Sequence, residues 1–132
     1  MPASKWSHYV QLSELYYKNA ESFARADEFS KATELLWGAI ATATKAVAAS
    51  QGRKLTAHRQ GDSSLEAFVT ALSKLQRNDQ LLNDFLDAQA MHRNFYEGDM
   101  SRAYEKKYFS LARRLIAALY QNLPMPDLPS QT

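Results

Sequence analysis

Six side chains in this chain have the types and spacing for anion chemistry: His92, Arg93, Asn94, Tyr96 and Glu97 in one run, and His58 well before it. Arg93 offers a planar fork of donors suited to a phosphate or carboxylate. Asn94 can donate and accept, and His92 can help hold a phosphate or a base. Tyr96 supplies a ring on which a base could stack, provided it is exposed. Arg93 and Glu97 stand four apart, so on a helix they can instead pair with each other for a few tenths of a kcal/mol. His92 reads first as a packing histidine, because Leu81, Phe85, Ala88, His92 and Phe95 follow helical steps of three and four. His58, with Lys54 and Arg59, makes either an anion-binding loop or a solvated connection.

Composition removes several other chemistries. The 132 residues contain no cysteine, so disulfides, thiolate nucleophiles and Cys-based zinc sites are excluded. The three histidines, His8, His58 and His92, lie far apart, with no HxxxH or HExxH spacing, so no metal site and no cofactor is expected. The formal charge is only +2, so nucleic-acid binding would need a local basic patch. No apolar run approaches the roughly 20 residues of a membrane span, and the start lacks a signal-like apolar core. The expectation is a cytoplasmic protein with no membrane contact.

Positioning those side chains falls to helices. Pro2 precedes the first helical pattern, Pro124, Pro126 and Pro129 follow the last, and no proline interrupts the middle. Helix one is predicted over Trp6 to Ala24, with Tyr9, Leu12, Tyr16, Ala20 and Phe23 as its apolar stripe. Asp27 reads as the N-cap of helix two, and Gly52 as its end. The second half of that helix, Gly38 to Ala49, is mostly Ala and Thr, which predicts a central element that neighbours approach closely. Ser63 with Glu66 forms a capping box opening helix three, whose buried face should be Leu65, Phe68, Val69, Leu72 and Leu75. Asn78 or Asp79 caps helix four, which carries the His92–Glu97 run and stops at Gly98. Helix five is predicted over Ser101 to Gln121, with Tyr104, Tyr108, Leu111, Leu115 and Ala118 inward and Lys106, Lys107, Arg113 and Arg114 on a solvated face. Together these give an all-α, up-and-down bundle of about five helices, one domain over 1–123 with a Pro-rich flexible tail at 124–132.

Ala26-Asp27, Leu36-Trp37-Gly38-Ala39, Ala43-Thr44-Lys45-Ala46-Val47, the lone His58 and His92-Arg93-Asn94-Phe95-Tyr96-Glu97 occur in an order that resembles the HEPN superfamily (higher eukaryotes and prokaryotes nucleotide-binding). The likeness is to its PaREP-like branch, known chiefly from archaea, and spans about Leu15 to Leu119. The resemblance implies a helical bundle, a homodimer or higher oligomer, and nucleotide or RNA binding. It also implies a second function, a metal-independent ribonuclease of toxin–antitoxin type, paired with a nucleotidyltransferase partner. That ribonuclease motif needs Arg, a polar residue, then a His. Arg93-Asn94 matches its first half, but no His follows Arg93. An exposed carboxylate such as Glu97 is a poor acid at neutral pH and does not replace it. With that histidine missing, the resemblance implies a non-catalytic, self-associating protein that binds nucleotide or RNA, for which the residues themselves supply the Arg93, Asn94 and His92 cluster. A catalytic variant and a ligand-free assembly or regulatory protein are the alternatives.

Overall fold

The computed structural model describes residues 5–55, 62–95 and 102–124, with the backbone alone at 62, 63, 94 and 95. It contains five helices, α1 (Lys5–Arg25), α2 (Phe29–Ser50), α3 (Asp62–Gln76), α4 (Asp79–Phe95) and α5 (Arg102–Tyr120), and no strand among the described residues. The fold is an all-α bundle. Its helices begin and end close to where the periodicity and Gly52 place them; the expected stop at Gly98 lies outside the described residues.

Three helix ends share one device. The residue just past the helix takes a left-handed backbone, and the next N–H turns back onto a carbonyl of the last turn. Gly52 does this at φ 77, with Arg53 N–H on the Ala48 carbonyl at 2.8 Å, as its type predicts. Asp27 does it after α1 at φ 61, with Glu28 N–H on Phe23 O at 2.8 Å. This corrects the expectation for Asp27, which closes α1; Glu28 stands at the N-cap of α2 without a capping side-chain bond. Aspartate tolerates the left-handed region better than most side chains, so one residue type suits both roles. Arg77 ends α3 in the same way at φ 53, which its type does not announce. Asn78 then caps α4, its Oδ1 accepting from Leu81 N–H at 3.3 Å.

α2 is the centre of the bundle, packing against each of the other four helices. Leu36, Ala39, Ile40, Ala43, Ala46, Val47 and Ala48 are buried along it. Its buried hydroxyls are satisfied within the helix, Thr44 donating to Ile40 O at 2.9 Å and Thr42 to Gly38 O at 2.6 Å. α1 runs antiparallel to it: Ser13 Oγ donates to Ala39 O at 2.8 Å, the Tyr16 ring covers Gly38, and Tyr9 lies by Lys45 and Ala49. The expectation of a small-residue helix at the centre holds.

The inward faces differ in places from the periodic reading. α1 packs its backbone closely against α2 alone, so Tyr9, Tyr16 and Phe23 are only half-buried. On α3, Leu65, Phe68, Val69 and Leu72 are buried, but Leu75 is 82% exposed. Only Gln76 follows it in the helix, and no described neighbour covers that side. On α5, Tyr108, Leu111 and Leu115 are buried as expected, Tyr104 and Ala118 are half-buried, and Glu105, Ala112, Ile116 and Leu119 join the core face. Leu123 is buried against the bundle, and the tail from 125 onward lies outside the described residues.

Candidate functional site

The end of α4 carries the run that the sequence singles out, and the structure places two of its residues in different surroundings. His92 is half-buried, its ring stacked on Trp37 with centroids 5.5 Å apart and planes 19° apart. Trp37 packs on its other contact against Phe85, at 5.6 Å. His92 thus closes a row of rings between α2 and α4, which is the packing role. Arg93 is exposed and forms no ion pair with another described residue. Successive helical residues diverge by about 100°, so His92 and Arg93 do not converge on one point. The backbone of Asn94 continues α4, and its side chain, like Tyr96, Glu97 and His58, lies outside the described residues. The Arg93–Glu97 pair and the His58 loop therefore fall outside them as well.

Beside this helix end a groove of about 470 Å³ runs between α4 and α5. Asp87, Ala90 and Met91 form one wall, and Tyr104, Lys107 and Ser110 the other. Arg93 is not among the lining residues; it stands three residues beyond Ala90 on α4, on the helix surface adjoining that wall. Lys107 is exposed and, like Arg93, has no carboxylate partner among the described residues. The sequence places Tyr104 inward and Lys107 on a solvated face, but their meeting with α4 depends on the α4–α5 register, which no local spacing encodes.

A buried carboxylate fixes that register. Asp84 is only 3% exposed, and Arg114 grips it with two bonds, Nε to Oδ2 at 2.9 Å and Nη2 to Oδ1 at 3.0 Å. Gln80 Nε2 adds a third at 2.8 Å. Burial pushes the Asp84 carboxyl up, but the hydrogen bonds and the charge of Arg114 outweigh it and hold the group below the usual carboxylate range. Arg114 is more than half exposed, on the solvated face expected for it, and from there it engages this buried carboxylate. Met91 against Leu111 and Asp84 against Arg114 show that α4 and α5 run antiparallel.

A second groove, of about 230 Å³, lies between α1 and α5. Its charged groups are engaged with one another. Tyr120 Oη donates to Glu14 Oε2 at 3.0 Å, Arg113 lies over the Tyr17 ring at 5.3 Å, and Arg113 approaches Glu21 at 3.7 Å. Burial first, with Glu14 beside it, pushes the Tyr120 phenol far up, so it stays protonated throughout the physiological range. This groove reads as the seam that holds α1 to α5. Among the described residues no group of three His, Asp or Glu side chains could hold a metal ion, and no helix is long and apolar enough to cross a membrane.

Comparison with known proteins supplies kinship. Residues 8–116 match the model of the Archaeal PaREP1/PaREP8 family. The chain belongs to that family. The PaREP1/PaREP8 match runs from within α1 to within α5, and so takes in Trp37, the end of α4, Lys107 and the Asp84–Arg114 clamp. No curated protein and no solved structure matches the chain.

Proposed function

We propose that this PaREP1/PaREP8 protein is a non-catalytic, HEPN-like helical protein that self-associates and binds nucleotide or RNA in the α4–α5 groove. The observation that carries the reading is Arg93, an exposed guanidinium without an ion pair among the described residues, one helical step beyond Ala90 of a groove walled by Asp87, Ala90 and Met91 and by Tyr104, Lys107 and Ser110. Arg93 and Lys107 would hold phosphate by charge-assisted hydrogen bonds, and Tyr104 with Met91 would take a base against ring and thioether. Catalysis is left out because no histidine follows His92 in the chain and His92 itself is stacked on Trp37. Fluorescence anisotropy of a labelled single-stranded RNA at low salt tests this. Saturable binding, with the RNA intact after incubation with and without EDTA, is expected; cleavage of the RNA would favour the ribonuclease reading.

Self-association draws support from α3. Ala67, Ala71 and Leu75 are exposed at steps of four, so they form one apolar line on its outer face. Two copies of α3 paired antiparallel about Thr70 would set Glu66 of each opposite Lys74 of the other, a self-complementary pattern suited to a two-fold dimer. Sedimentation equilibrium at micromolar concentration should give twice the 15.0 kDa chain mass, and Leu75→Glu should return it to one. A single-chain mass for the unmutated protein would overturn the dimer.

A further inference from the structure

At the C-terminal end of α2, away from His92, lies a basic pocket. It is lined by Lys5 and Tyr9 of α1, Lys45 of α2, and Gly52, Arg53 and Lys54 of the turn that follows, with no carboxylate among its described lining residues. The whole chain carries 16 Lys and Arg against 14 Asp and Glu, so four cations around one concavity, with no carboxylate among the described residues lining it, are a marked local excess. None of the four forms an ion pair with a described residue. Trp37 and Ala49 are twelve residues apart on α2, which separates this pocket from the α4 end by about 18 Å along the helix axis.

The fold sets these cations in place. α1 begins beside the end of α2 because the two helices are antiparallel, and this brings Lys5 to Lys45. Gly52 turns the chain sharply with its left-handed backbone, so Arg53 and Lys54 come back over the end of α2. Arg53 lies over the Phe68 ring of α3 at 5.1 Å. Stacking holds the guanidinium plane while leaving its N–H edge available to an anion. The pocket measures about 210 Å³, below the 300–1,000 Å³ usual for a drug-sized ligand. It is too small for a whole nucleotide but has more positive charge than one monophosphate can neutralise.

We propose that the pocket of Lys5, Lys45, Arg53 and Lys54 binds a chain of two or three phosphates, with Tyr9 at its wall. The phosphate chain of a nucleotide and the 5′-triphosphate end of an RNA present the same chemistry. The site is separate from the α4–α5 groove and stands without it. His58 lies outside the described residues.

Isothermal titration calorimetry with inorganic tripolyphosphate at low salt tests the proposal. The full chain should bind it saturably, more tightly than sulfate, and more weakly as salt rises. Lys45→Gln with Arg53→Gln and Lys54→Gln should weaken binding by at least about a hundredfold, each lost charge-assisted contact being worth about tenfold. Should that triple variant fail to fold, Lys5→Gln with Lys54→Gln removes two cations of separate segments and should still lower affinity about tenfold or more. Lys18→Gln, an exposed cation of α1 outside both this pocket and the α4–α5 groove, should leave tripolyphosphate binding unchanged, so loss of this site can be told apart from a general loss of charge. Competition by ATP and by 5′-triphosphorylated RNA then identifies the source, and either one supports the site. No saturable binding, equal affinity for sulfate, equal competition by 5′-hydroxyl RNA, or undiminished binding by a folded variant would each overturn it.

Discussion

Trp37→Ala should lower the stability of the fold by about 3–5 kcal/mol, read as a fall in the urea midpoint with little change in slope. Trp37 is 9% exposed, and its indole fills the space between Phe85 and His92 of α4. Deleting it removes a large apolar area and leaves a cavity between the central helix and α4 that neither backbone can readily close. His92→Ala should cost less, about 1 kcal/mol, because the half-buried imidazole gives up one stacked face rather than a filled volume. A Trp37→Ala protein within 1 kcal/mol of the parent would mean that the row of rings does not join α2 to α4.

Arg114→Ala should destabilise the protein by about 1–2 kcal/mol at pH 7, a figure kept low because the guanidinium is more than half exposed. The cost arises on the other partner, since Asp84 would stay buried without its two strongest donors. The pH dependence follows from the depressed Asp84 carboxyl. Stability from a lowered carboxyl is fully present above the unfolded value near 4 and is lost as pH falls through the lower folded value. Denaturation at pH 7 and again at pH 3 should therefore show the gap between parent and variant narrowing in acid. A gap that stays constant or widens would contradict the clamp.

Both results depend on contacts between helices, and this marks what sequence can and cannot convey here. The helices themselves follow from local pattern: a heptad-like apolar stripe, prolines only at the ends, and Gly52 where α2 stops. The central place of α2 follows from its alanines and threonines, because only small side chains allow four neighbours to come close. Leu75 continues the α3 stripe faithfully and is still exposed, since periodicity describes a face of a helix and not whether another helix reaches it. Asp27 illustrates a different limit, a residue type equally fit to close one helix or open the next. Asp84 and Arg114 are thirty residues apart, and Lys5 and Lys45 forty, so their meetings depend on the antiparallel registers of α4 with α5 and of α1 with α2. His92 sits on the stripe that its spacing implies, and the choice between packing and ligand binding turns on Trp37, a partner in another helix.

The proposed groove is tested most directly by titrating labelled single-stranded RNA at low salt against the parent protein and against Arg93→Gln, with thermal melts of both. Arg93 is exposed and has no ion pair among the described residues, so its loss should leave the melt unchanged. Affinity should fall about tenfold with the charge-assisted contacts it would supply. Equal affinity for the two proteins, with equal melts, would contradict the assignment of Arg93 and of the α4–α5 groove as the RNA-binding surface.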